Sequence, residues 1–162
     1  VCKISSSSNK NMAVLVQMRR PGFSAELAAY EAFPSNSTDM KAIVPAMSKR
    51  QSNGFATTAT IANLDPTNAA NVKLIYTPSE SYVSSGGSAS SIILHKVIPA
   101  GGSIGQNLRT AEVPDLPDRW YGTLVVEPDD GAVARPVVAI VQLTNYLGAT
   151  GDTLMAHDAI QQ

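Results

Sequence analysis

A single cysteine, Cys2, stands in 162 residues, so no internal disulfide can form. A chain of this length buries a core large enough to fold without one. The shortage therefore does not assign the protein to a reducing compartment. Cys2 sits beside Val1 and Ile4 in a strand-like stretch and reads as a small buried apolar residue. Charge is also scarce: charged residues are 15% of the chain and the net charge is −1. Neither sign dominates, which removes the electrostatic footprint of a nucleic-acid binder or of a protein held on anionic lipid. No apolar run approaches the ~20 residues of a membrane helix, so no membrane insertion is expected. The residues before Cys2 do not read as an apolar leader, so a lipoprotein cysteine is not expected, and neither is a signal peptide within these residues. Val1 already reads as part of a strand, the pattern of a chain whose native N-terminus lies upstream or has been processed.

Only two histidines occur, His95 and His157, far apart and each in a strand-like segment. No HxxxH, CxxC, GxSxG or phosphate-loop pattern accompanies them. The run Gly101-Gly102-Ser103-Ile104-Gly105 has no following helix to bind an anion and reads as a turn. Asp115, Asp118, Asp129 and Asp130 fall in turns without the alternating ligand spacing of a calcium loop, so solvated turns explain them. Trp120-Tyr121 opens a strand after Pro117-Asp118-Arg119, where a core aromatic is expected rather than a sugar-stacking platform. The expectation is a non-enzyme with no catalytic residue, metal or cofactor.

What the chain has instead is turn residues, Gly 11 and Pro 10 among them, between short strand-like runs. Strands are predicted at 1–5, 12–20, 27–33, 42–47, 54–64, 72–77, 92–98, 103–108, 120–127, 137–146 and 153–160. Pro45 demotes 42–47 to an edge strand or a bulge. In 54–64, Phe55, Thr57, Ala59 and Ile61 alternate with Ala56, Thr58, Thr60 and Ala62. In 72–77, Val72, Leu74 and Tyr76 alternate with Lys73, Ile75 and Thr77. The nearly continuous apolar run 137–146 predicts a central strand. No helix is expected, and 79–91 reads as a surface loop. Strands at this spacing predict an all-β, immunoglobulin-like Greek-key β-sandwich, with a closed barrel as the second choice.

The chain also repeats itself. Ala13-Val14-Leu15-Val16-Gln17-Met18 returns as Val138-Ala139-Ile140-Val141-Gln142-Leu143, and Ala29-Tyr30-Glu31-Ala32-Phe33 returns as Ala156-His157-Asp158-Ala159-Ile160. The offsets, 125 (142 minus 17) and 127 (157 minus 30), are the length of one sandwich domain. His157 answers to Tyr30, an exchange that a catalytic or metal-binding role would not survive. The repeat divides the chain into 1–26, strands belonging to or pairing with a preceding module, 27–150, the sandwich module, and 151–162, the start of the next repeat. Flanking strands would then be shared with neighbouring modules or subunits.

Further residues carry a family resemblance. Gly54-Phe55-Ala56-Thr57-Thr58-Ala59-Thr60-Ile61-Ala62-Asn63-Leu64, then Ala70-Asn71-Val72-Lys73-Leu74-Ile75-Tyr76, then Leu116-Pro117-Asp118-Arg119-Trp120-Tyr121-Gly122 and Val138-Ala139-Ile140-Val141-Gln142 follow one another. This series resembles immunoglobulin-like β-sandwich repeat modules of large secreted surface proteins of filamentous bacteria. Asp118-Arg119 departs from the glycine common there. The resemblance covers about two-thirds of the chain, consists of framework residues, and implies fold and an extracellular or cell-surface setting but no chemistry.

Together these readings predict a structural subunit or tandem repeat of an extracellular filament or cell-surface fibre, assembled by strand complementation or end-to-end docking with copies of itself. The alternative is an adhesin or carbohydrate-binding module of a larger surface protein. The predicted assembly contact comprises Val14, Leu15, Val16, Leu27, Ala29 and Phe33 in one copy of the repeat, with Ile140, Leu154, Ala156 and Ile160 in the other. Asn36, in the sequon Asn36-Ser37-Thr38, is the candidate glycosylation site, with the serine clusters at 5–8 and 84–91 as candidate O-linked positions.

Overall fold

The computed structural model of the chain describes residues 4, 14–19, 27–34, 37–110, 113, 115–147 and 154–162. Cys2 and the glycosylation candidate Asn36 lie outside these residues. The elements are β1 (Leu15–Arg19), β2 (Leu27–Glu31), β3 (Ala42–Ser48), β4 (Phe55–Asn63), β5 (Ala70–Pro78), α1 (Glu80–Ser84), β6 (Ile92–Ile98), β7 (Ser103–Asn107), β8 (Tyr121–Pro128), β9 (Val137–Asn145), β10 (Leu154–Asp158) and β11 (Ile160–Gln161). They form an all-β molecule of antiparallel sheets. One sheet has the order β10-β9-β4-β7, the second β11-β3-β8-β5-β6, and β1-β2 form a separate two-stranded ribbon.

Alternation decides which side chains face inward. On β4 the core-facing set is Thr57, Ala59, Ile61 and Asn63, and its partner β9 contributes Val137, Ala139 and Val141 from the same face. The opposite sheet answers with Ala42, Val44, Val72, Leu74, Tyr76, Leu124 and Val126, each nearly inaccessible to water. Apolar rows from two sheets thus make one core. Trp120 closes one end of it, with its ring edge-on to Tyr76 at a centroid distance of 6.1 Å. Gly122 is required beside it, because a Cβ there would collide with the Thr77 carbonyl and the Trp120 ring.

Polar side chains tie the two sheets together. The Tyr76 hydroxyl on β5 donates to Gln106 Oε1 on β7 at 3.1 Å. The Ser48 N–H on β3 donates to Thr57 Oγ1 on β4 at 3.0 Å. Asn63, fully buried, donates to the Asn68 and Pro99 carbonyls at 2.8 and 3.2 Å and accepts from the Asp65 N–H at 2.9 Å. It thereby fixes two turns from a single side chain. In the turn that follows, Asp65 accepts from the Thr67 and Asn68 amides and pairs with Arg135 at 3.1 Å. The Thr67 amide, with smaller contributions from the Thr67 hydroxyl and Asn68, holds this carboxyl far below the usual carboxylate range, against an opposing desolvation effect.

The sequence-based strands reappear at most described positions, with two differences and, at Pro45, the bulge rather than the edge strand of the two alternatives. Residues 79–91 contain a one-turn helix, because the Ser79 hydroxyl accepts the Tyr82 N–H at 3.1 Å and caps it. Pro45 does lie at a register shift between Val44 and Met47, yet β3 is an inner strand flanked by β8 and by the two-residue β11. The expected strand 153–160 ends at Asp158. There the Ala159 N–H bonds to the Ala139 carbonyl at 3.0 Å and the chain passes to the second sheet as β11.

Lys49 is 5% exposed, and its ammonium donates to the Val113 carbonyl at 3.0 Å and to the Leu116 carbonyl. A buried cation is tolerated only where such acceptors replace water. Lys49→Met should leave the Leu116 carbonyl without its ammonium donor and the Val113 carbonyl with only the Leu116 N–H at 3.3 Å, and lower the unfolding free energy by ~1–3 kcal/mol, measured by urea denaturation followed through Trp120 fluorescence.

Candidate assembly interface

The two copies of the sequence repeat fold into the same object. In the first, β1 pairs with β2 in the register Leu15↔Glu31, Val16↔Tyr30, Gln17↔Ala29. In the second, β9 pairs with β10 in the register Ile140↔Asp158, Val141↔His157, Gln142↔Ala156. Each pair is the counterpart of the other. The hydrogen bond beyond the ladder recurs too: Ala32 N–H to the Val14 carbonyl at 2.9 Å, and Ala159 N–H to the Ala139 carbonyl at 3.0 Å. Register in a ribbon is set by the side-chain pattern and the turn. The repeat is thus a repeated hairpin, and the divisions at residues 26 and 150 fall, in chain order, between β1 and β2 in one copy and between β9 and β10 in the other.

The two hairpins occupy different surroundings. The second is built into the sandwich through β9, which pairs with β4 over nine residues. The first touches the sandwich through β2, which lies against β10. None of its described residues joins the core cluster. Of the predicted contact residues, Leu15 is 61% exposed, Ala29 is exposed, and Val14, Val16 and Phe33 are half-buried. Leu27 begins β2, its side chain lying outside the described set. In the second copy Leu154 is buried, Ile140 and Ala156 are half-buried, and Ile160 is exposed. The structure brings β2 and β10 together within one chain. It does not place Ile160 among them, because β11 pairs with Ile43 in the other sheet.

Asp158 is half-buried at this seam, and its Oδ1 is shielded from water with no hydrogen-bond partner. Desolvation by burial raises its pKa. The Glu31 N–H opposes that effect, the Glu31 carboxylate adds to it, and His157 opposes it weakly. A folded-state pKa above the ordinary 3.8 means that the folded state binds more protons in that window. Docking of β2 on β10 therefore weakens as pH rises through the folded pKa and strengthens on acidification towards 3.8. Asp158→Asn should remove this pH dependence and strengthen docking at pH 7, read as slower amide exchange in β2.

Further ionisable groups among the described residues form pairs at or near the surface. His95 Nδ1 lies 2.9 Å from Asp129, and Lys73 Nζ lies 2.6 Å from Asp130 and 3.3 Å from Glu127. Asp129 and Asp130, expected as solvated turn residues, thus have partners on the neighbouring strands β6 and β5. His95 holds the Asp129 carboxyl below its usual pKa, helped by the Asp130 N–H. His157 is exposed and faces its neighbour's carbonyl. Among the described residues, no group of three or more His, Cys, Asp or Glu side chains could hold a metal ion, and no helix is long and apolar enough to cross a membrane.

No protein-family model matches the chain, and no curated protein matches it. Among solved structures, the crystal structure of Thermotoga maritima 1070 is similar, with a TM-score of 0.56 and 15% identity over 78% of this chain and 97% of that one. At that identity the likeness concerns the fold alone.

Proposed function

We propose that this chain is a structural subunit or tandem repeat of an extracellular filament or cell-surface fibre, an immunoglobulin-like Greek-key module with no catalytic activity that assembles through its terminal hairpins. The observation that carries this reading is the repeated hairpin in one register, with one copy built into the sandwich and the other outside the core. The chain connections lend support to the Greek-key element: apart from β5-β6 and β9-β10, successive sandwich strands alternate between the two sheets.

In this reading β1-β2 is an arm. A two-stranded ribbon is marginal in water by itself and needs a surface to lie on. The edge of β10 supplies one, and a neighbouring copy offers the same edge. Residues 32–41 (41 minus 31 gives ten) connect β2 to β3. Ten residues reach up to ~33 Å, enough for the arm to lie on a neighbour's β10 instead of its own. An exchange that does not close on itself propagates as a filament. The apolar faces at Val16 and Leu154 then fill the contact, and main-chain groups along the edge give it direction.

Val16 shares its face with Tyr30 and is half-buried. Val16→Asp places a charge there, so it should abolish filament formation while the far-ultraviolet spectrum and thermal transition of the sandwich stay as in the wild type. Negative-stain imaging and sedimentation of both proteins test the reading. Polymers of uniform width from the wild type alone are expected. Discrete wild-type particles that bind glycans would establish the binding-module alternative instead, and polymers from the variant would exclude the arm.

A further inference from the structure

The outward face of the five-stranded sheet carries a row that alternation alone would have made polar. Ile160 pairs with Ile43, Ile43 with Val125, Val125 with Ile75, and Ile75 with Ile93, so one aliphatic, β-branched residue per strand runs across all five strands without interruption. Directly paired residues point to the same side. That side is the outer one, because the inward neighbours Val44, Leu124 and Leu74 are fully buried. The ends of the row, Ile93 and Ile160, are 51% and 54% exposed. Four steps of ~4.8 Å make it ~19 Å long. On one flank lies a hydroxyl row, Thr123-Thr77, with Thr77 hydrogen-bonded to Ser91. On the other lie charges, Lys41-Glu127-Lys73, joined by ion pairs of 3.5 and 3.3 Å. A contiguous apolar feature rimmed by polar residues marks an interaction surface.

We propose that this face packs against the same face of a second copy of the chain, about a two-fold axis that runs along the strands between β8 and β5. Charge complementarity selects this occupant. That axis sets Val125 of one copy over Ile75 of the other, Ile43 over Ile93, and Glu127 over Lys73 on both sides. The apolar row then meets itself, Glu127 meets Lys73 twice, and Thr123 of one copy meets Thr77 of the other, while Lys41 and His95 face each other only at the rim, where each already has an acidic partner, Glu127 and Asp129, in its own chain. The centre of the face thus has the self-complementarity an isologous dimer requires. Because both signs alternate along the flank, a nucleic acid or a uniformly charged surface would meet repulsion at every second position. A face ~19 Å wide and ~25 Å long presents ~500 Å² in projection, twice which lies under the ~1,200 Å² of standard interfaces. The dimer is accordingly weak, forming and dissociating with concentration. This surface is separate from the hairpin arm and does not depend on it.

Sedimentation velocity over a roughly hundredfold concentration range tests the proposal on full-length Val16→Asp, in which the hairpin arm cannot link copies, with three further substitutions made in that background. The Val16→Asp parent should shift from monomer to dimer at the upper end, and Ile75→Lys added to it should remain monomeric. Lys73→Glu alone should not dimerise, since two glutamates would face two glutamates, and Glu127→Lys alone should fail through facing lysines. An equimolar mixture of those last two should regain the dimer, because every cross-interface pair is again opposite in sign. Each variant's circular dichroism confirms its fold, and the mixture rescue cannot arise from misfolding of either component. A Val16→Asp parent that stays monomeric throughout, or a mixture that stays monomeric while the parent dimerises, would overturn the proposal, the first result assigning all association to the hairpin instead.

Discussion

The pairing of β4 with β9 is the constraint on which the remaining structure depends. It runs unbroken from Phe55↔Asn145 to Asn63↔Val137 and joins the two most completely covered strands of the smaller sheet. β7 attaches to β4, β10 attaches to β9, and β2 lies against β10. The ladder also fixes its own ends. Asn145 reaches the Asn53 carbonyl at 2.9 Å at one end, and Asn63 gathers two turns at the other. A one-residue slip would move Ala59, Ile61, Ala139 and Val141 from the core to the outer face, so burial and register enforce each other.

That ladder could be read in the sequence because each of its strands carries a strand pattern. Thr58 to Ile61 alternate polar with apolar residues, and Val137 to Val141 are apolar on both faces, as a strand with both faces covered should be. Trp120 as a core aromatic and the bulge at Pro45 followed from local chemistry in the same way. The short helix at Glu80–Ser84 escaped because one serine cap, not any apolar periodicity, creates it. The passage of Ile160 to the second sheet was equally hidden, since nothing in Ala156-His157-Asp158-Ala159-Ile160 distinguishes a strand that continues from one that turns at Ala159. The partners of His95 and Lys73 depend on which strands become neighbours, information that resides in topology alone.

The candidate surfaces divide along the same line. The hairpin repeat is a property of order and spacing, so the chain discloses it before folding. The aliphatic row does not appear in any single strand. Ile75 between Lys73 and Thr77, and Val125 between Thr123 and Glu127, each look like an isolated apolar residue on a polar face. Only the registers of four strand pairs align them. The molecule thus leaves two regions incompletely covered for different reasons. The ribbon β1-β2 has a strand edge and little core of its own, and the larger sheet has an outer face whose apolar residues no other described element covers. Low overall charge leaves few gatekeeping side chains to disfavour contact at either.

The central claim is that β1-β2 is a hairpin in the image of β9-β10 but docked on the sandwich rather than built into it. Native-state hydrogen exchange of the full chain in increasing denaturant addresses this directly. The account predicts that amides of β1 and β2 exchange through a low-energy opening that leaves the β4-β9 and β5-β8 ladders protected until global unfolding. Equal protection and equal denaturant dependence in β1, β2 and the central ladders would show one cooperative unit and contradict it.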